Sequence, residues 1–133
     1  MSKITGPKLP SEHLEQKAFV QWFCAQYPKY RGCLFAIPNG SHLAGTPAVR
    51  AMKMNKLKAE GFKNGVSDLF LAVPMGGKSG MFLEMKAQKK TESSVSKEQK
   101  EHLELMELMG YAAEWAAGSD EAIRITKEYM KIK

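Results

Sequence analysis

A chain of 133 residues, 44% hydrophobic and 26% charged, has the size and composition of about one folded domain, which argues against disorder, collagen-like repetition and a two-domain layout. No apolar run approaches the roughly 18–20 residues needed to span a bilayer, and the N-terminus lacks an apolar signal core, so a cytosolic protein with Cys24 and Cys33 reduced is expected. The net charge of +6 permits a polyanionic partner without proving one.

The charge is unevenly spread: five basic and two acidic side chains in residues 1–49, eleven and five in 50–100, four and seven in 101–133. Within the basic middle, Arg50, Lys53, Lys56, Lys58 and Lys63 face only Glu60 in opposition. Because phosphate contacts dominate nucleic-acid affinity, this segment is the best electrostatic footprint in the chain, with a solvated helix face as the plain alternative. A structural zinc site is not expected, since His13, His42 and His102 lie far apart and the cysteines have no neighbouring ligand.

Met1 to Pro10 reads as a loose, flexible start, and residues 11–133 read as one domain without repeats or linkers. Ser11 is a suitable N-cap for a helix from Glu12 to Tyr27, which Pro28 ends and which carries Phe19, Val20 and Phe23 on one face. Cys33 to Ile37 suits a strand, followed by the loop Pro38-Asn39-Gly40-Ser41. Thr46-Pro47 then opens a basic helix from Ala48 to Glu60 with Gly61 at its end. Ser67 to Val73 and Met81 to Ala87 are strand-like and flank glycine-rich turn chemistry, which predicts an antiparallel hairpin. Ser96-Lys97-Glu98-Gln99 is a capping-box pattern for a helix to Met109, stopped by Gly110. Tyr111 to Ala117 suits a last strand, and Ser119-Asp120-Glu121 caps a final helix to about Lys131. Helix, strand, helix, strand, strand, helix, strand, helix is the order of an α/β protein with a mixed sheet flanked by helices.

The hairpin holds the sharpest chemical feature, because acidic residues in otherwise apolar strands are costly to bury unless they bind something. With the turn centred on Gly76, residues whose numbers sum to about 152 face one another, which sets Asp68 opposite Glu84. Strand alternation points Glu84 and Lys86 to one face and Leu83 and Met85 to the other. Two carboxylates and an ammonium then converge, and adjacent carboxylates repel unless a proton or cation intervenes, the usual setting for Mg²⁺. A surface Glu84–Lys86 pair with Asp68 capping a turn is the plainer alternative.

On the first helix, Glu12 and Gln16 are four residues apart and fall on the stripe of Phe19 and Phe23, the face expected to pack inward, so polar residues at that end suggest a site. Glu15 lies almost as close, and Glu12 also reads as a first-turn acid favoured by the helix dipole. Gln99 has a sufficient structural reading as a capping-box residue. Asn39, Ser41 and His42 offer loop amides and short polar side chains for a phosphate, or form an ordinary turn. Arg50 and Lys53, one helical turn apart, and Lys89 and Lys90 beyond the second strand are placed to follow a DNA backbone. Trp22 and Trp115 read as core aromatics.

Several fragments recur here in a specific order and spacing: Ser11-Glu12-His13 with Gln16, Ile37-Pro38-Asn39-Gly40, Gly61, Gly65-Val66-Ser67-Asp68-Leu69-Phe70-Leu71, Glu84-Met85-Lys86, Ser96 with Gln99, and Gly110-Tyr111. In these the chain resembles the small stand-alone VRR-Nuc proteins of bacteriophages, a branch of the PD-(D/E)xK nuclease superfamily. The resemblance implies a restriction-endonuclease-like fold in which Asp68, Glu84 and the backbone carbonyl of Met85 bind Mg²⁺, with Mn²⁺ as a substitute. It further implies that Lys86 is the catalytic lysine and that Glu12 and Gln16 complete the site. A structure-selective substrate such as a four-way junction or flap, a homodimer, and a host-cell cytoplasmic location for a phage-encoded protein are implied as well. One departure is Ser67, where the family usually has proline; proline there stiffens the strand start but supplies no ligand, so rigidity is in question more than activity. The competing functional reading is a non-catalytic nucleic-acid binding module built on the basic helix.

Overall fold

The computed structural model describes residues 8–38 and 43–131. Its elements follow the expected order: α1 (Glu12–Gln26), β1 (Leu34–Ala36), α2 (Pro47–Ala59), β2 (Leu69–Leu71), β3 (Met81–Lys86), α3 (Lys97–Leu108), β4 (Ala112–Ala117) and α4 (Ser119–Lys131). Two 3-10 segments, Pro28–Cys33 and Glu92–Ser94, were not anticipated; Pro28 both ends α1 and starts the first of them.

Local chemistry sets the helix limits. The Ser11 hydroxyl accepts the Leu14 N–H, Thr46 accepts from Val49, and Ser96 and Gln99 form a complete capping box. Pro47 belongs to α2 as its first residue, where its missing N–H costs nothing. At the end of α2, Gly61 has a φ of 104°, its N–H donates to the Lys58 carbonyl, and the Phe62 N–H donates to Leu57 at 2.9 Å. This pair of bonds is a Schellman stop, and it turns Phe62 back toward the helix.

The four strands lie in the order β1-β2-β3-β4, antiparallel except for the parallel β3–β4 pair. The odd-numbered residues Leu69, Leu71, Met81, Leu83 and Met85 are each at most 1% exposed and pack with Phe19 and Phe23 of α1 and with Ala122, Ile125 and Tyr129 of α4. The even-numbered residues point to the opposite face, where Phe70 and Phe82 meet Tyr111, and Phe82 meets His102 of α3. The alternation is the strand pleat itself, and it leaves Asp68, Glu84 and Lys86 on the α3 face.

Strands β1 and β2 are shorter than the sequence suggests, three residues each. Single bonds continue the pairing beyond them, from the Ile37 N–H to the Asp68 carbonyl and from the Ala72 N–H to the Cys33 carbonyl, both 2.8 Å. The shortness has a consequence, since β2 stops before it can cover the end of β3.

Helix α3 is pressed onto the segment before β2. Gly65 has a φ of 84°, and a Cβ there would lie 2.5 Å from the Glu98 backbone. Gly65→Ala is therefore expected to lower stability by about 2 kcal/mol or more, combining left-handed strain with a backbone clash. Urea denaturation measures it, and a loss under about 0.5 kcal/mol, the size of an ordinary surface substitution, would mean that α3 does not sit this closely.

Candidate functional site

The β2–β3 register pairs Leu69 with Leu83, Phe70 with Phe82 and Leu71 with Met81, so its next step sets Asp68 across from Glu84. Glu12, in the first turn of α1, joins them: one carboxylate oxygen from each of Glu12, Asp68 and Glu84 lies within 4.8 Å of the other two. Asp68 is fixed by accepting the Met85 N–H on its Oδ2 at 2.8 Å. That N–H has no ladder partner because β2 has ended, so the side chain replaces the missing strand.

Burial acts most strongly on Glu84. Glu84 is only 2% exposed, and its Oε1 is buried without a hydrogen-bond partner. Its pKa is pushed up to about 9, chiefly by burial, then by a hydrogen bond and the negative charge of Asp68, with Glu12 adding to the rise and Lys86 opposing it. The Glu12 carboxyl is also raised, by burial first and by Asp68 second, while Lys86 and Lys90 pull it down. Three converging carboxylates, two of them with ionisation opposed by burial and by neighbouring charge and one with an orphaned oxygen, fit a divalent cation, whose charge would remove the repulsion and satisfy the oxygen.

Lys86 is half-buried on the same face, and its Nζ donates to Gln99 Oε1 at 3.0 Å. The same oxygen accepts the Ser96 N–H at 2.8 Å, so Gln99 both closes the helix cap and holds the lysine. The cap alone is enough to explain a glutamine at position 99, so the sequence carries no separate signal for its contact to Lys86.

The buried stripe of α1 continues through Glu15, four residues before Phe19, and not through Glu12 or Gln16. Glu15 faces away from the cluster's chemistry: it accepts Gln88 Nε2 at 2.7 Å and the backbone N–H of Ser119, the first residue of α4. Burial raises its pKa, but the hydrogen bonds from Ser119 and Gln88 outweigh this and hold it below the usual carboxylate value. It is a buried cap joining α1 to α4. Gln16 is half-buried and lines a cavity of about 470 Å³ with Glu12, His13 and Asp68.

Among the other residues singled out in the sequence, Arg50 and Lys53 are exposed on α2, and Lys53 Nζ donates to the Ala44 carbonyl at 2.9 Å. No residue of α2 is buried, and its cations have no acidic residue among them. Lys89 and Lys90 are exposed just past β3, with Lys90 close enough for its charge to act on Glu12. Asn39, Ser41 and His42 lie outside the described residues. Ser67, the residue whose rigidity the sequence put in question, is fully buried, and its hydroxyl is hydrogen-bonded to His102 Nδ1 of α3 at 3.3 Å. Burial lowers the His102 pKa. Trp22 packs partly buried against the core, and Trp115 is half-buried on β4. No helix among the described residues is long and apolar enough to cross a membrane.

A solved structure described as a VRR_NUC domain protein superimposes with a TM-score of 0.78 at 24% sequence identity, over 95% of this chain and 93% of that one. The likeness establishes the fold, a four-stranded mixed sheet flanked by helices. No curated protein matches the chain by sequence. The family model of the VRR-NUC domain matches residues 11–120, a span running from the cap of α1 through the carboxylates and Lys86 to the start of α4. The chain therefore belongs to the VRR-NUC domain family and has its nuclease-like fold.

Proposed function

We propose that this protein is a metal-dependent DNA endonuclease that hydrolyses phosphodiester bonds by in-line attack of water. The observation that carries the reading is the Glu12, Asp68 and Glu84 cluster, with its orphaned buried oxygen, beside the ammonium of Lys86. Asp68 and Glu84 hold Mg²⁺, or Mn²⁺ in its place, with Glu12 and Gln16 completing the site. The Met85 carbonyl is a further ligand: its N–H points to Asp68, and in an antiparallel strand the N–H and C=O of one residue face the same edge. A bound cation supplies Lewis acidity toward the phosphate and lowers the pKa of a coordinated water.

The remaining work falls to side chains. Gln99 fixes the Lys86 ammonium, which then stabilises charge developing on the phosphoryl oxygens or orients the attacking water. Arg50 and Lys53 on α2, with Lys89, Lys90 and Asn39, guide the phosphate backbone toward the carboxylates. A branched substrate such as a four-way junction or flap fits a symmetric homodimer, which would offer two active sites to two strands. Residues 11–133 act as a single domain in this reading.

Calorimetric titration with Mn²⁺ tests the metal centre. Saturable binding to the wild type that is lost in Asp68→Asn supports it, and equal binding by both proteins contradicts it. For the DNA path, Arg50→Ala is expected to weaken binding and to flatten the plot of log affinity against log salt by about one unit. An unchanged slope places Arg50 away from the DNA.

A further inference from the structure

A second cavity, of about 530 Å³, shares Ile37, Pro38 and Asp68 with the one at Glu12. Its size falls within the range of small-ligand sites, about 300–1,000 Å³. The walls are Ile37, Met54, Phe62 and Val66, with Lys63 and Asn64 as polar neighbours. Asp68 and Gln99 border it as well, so it adjoins the carboxylate cluster and the partner of Lys86. Met54 is the contribution of α2, the helix that also carries Arg50 and the lysines.

Phe62 sets this cavity apart from a packing defect. Phe19, Phe23, Phe35, Phe70 and Phe82 each pair with another aromatic ring, whereas Phe62 has no ring partner among the described residues. The Schellman stop of α2 holds its backbone, and the side chain is only half-buried. A flat aromatic face beside a cationic helix and next to a phosphate-processing cluster matches one ligand chemistry, a nucleobase attached to its sugar-phosphate.

We propose that this cavity receives the base of an unpaired nucleotide adjoining the phosphate to be cut, with Phe62 as the stacking surface and Asn64 at the polar edge of the base. The inference deepens the nuclease reading and rests on it for the identity of the neighbouring phosphate. A base held in a duplex is stacked and paired and has to leave both arrangements to enter, so the pocket favours nucleotides at branches, flaps and ends. The selectivity then comes from the cost of unpairing, which is smallest where the strand is already single.

The test uses Phe62→Leu, which keeps an apolar side chain after the helix stop and removes the flat face. Single-stranded oligothymidylate carrying one 2-aminopurine is titrated with each protein in EDTA, where no metal-dependent cleavage occurs. The wild type is expected to quench the fluorophore on binding, and Phe62→Leu to bind about 5- to 150-fold more weakly and without quenching, the range for loss of one base–aromatic stack. In parallel, a flap substrate with an abasic residue at the branch is cleaved in Mg²⁺. The abasic lesion is expected to slow the wild type and to have no added effect on Phe62→Leu. Equal quenching by both proteins, or the same slowing of both by the lesion, overturns the pocket. Absence of cleavage on every substrate defeats the nuclease reading instead, and quenching that depends on Phe62 then still upholds the pocket.

Discussion

The Lys86→Ala variant is expected to cleave DNA about 10²–10³-fold more slowly than the wild type while binding Mn²⁺ with unchanged stoichiometry, because the lysine acts on the phosphate or the water and is not a ligand. The geometry separates the two roles. The three carboxylates form their own cluster, whereas the ammonium is tied to Gln99 on α3. Single-turnover cleavage and calorimetry on the same preparation measure both quantities. Loss of Mn²⁺ binding in Lys86→Ala contradicts the assignment. Gln99 is a poorer target, since its removal also opens the cap of α3 and costs about 1 kcal/mol of stability unrelated to chemistry.

A large effect is also expected in stability. In the metal-free protein the Glu84 pKa is raised from 4.5 to about 9, so the folded state keeps a proton that the unfolded chain has already released. Unfolding therefore releases a proton through this window, and stability falls as pH rises from 4.5 toward about 9, with a limiting slope of about 1.4 kcal/mol per pH unit from this group. Below the unfolded value both states are protonated and the contribution is complete. Between about pH 6 and pH 8.5, where ordinary carboxylates no longer titrate, metal-free wild type is expected to lose stability relative to Glu84→Gln, which cannot ionise. Mg²⁺ is expected to flatten or reverse the trend, because it binds the ionised carboxylate and only in the folded state. Parallel stability curves for wild type and Glu84→Gln in EDTA would contradict this charge state.

The site was legible in the sequence largely because hairpin arithmetic held. The tip is a two-residue turn at Gly76 and Gly77, both with positive φ, closed by Met75 and Lys78. That tip alone would pair residues summing to 153, one more than the strands show. Three residues, 72–74, on the first arm face two, 79–80, on the second, and this extra residue restores the register that brings Asp68 to Glu84. Helix limits were legible for a similar reason, since Ser11, Thr46, Ser96 and Gly61 act through bonds to near neighbours in the chain.

What stayed hidden depended on distant partners. Glu12, Glu15 and Gln16 fall within one sector of a helical wheel, and only the docking of α4 at Ser119 makes Glu15 the buried cap and leaves Glu12 to the cluster. Likewise, Gln99 satisfies its helix locally, and nothing near it in sequence announces Lys86. The cationic character of the run from Arg50 is plain in the sequence, but that α2 buries none of its residues, and that Phe62 just past it lines a cavity, follows from tertiary placement alone.

The most direct measurement incubates the purified protein with labelled four-way junction, flap and linear duplex in Mg²⁺, Mn²⁺ or EDTA, beside Glu84→Ala. Metal-dependent cleavage, absent in EDTA and in the variant and strongest on the branched substrates, is the predicted result. Binding without cleavage in either metal would contradict the account and leave the cationic helix as a nucleic-acid binding module around an inactive carboxylate cluster.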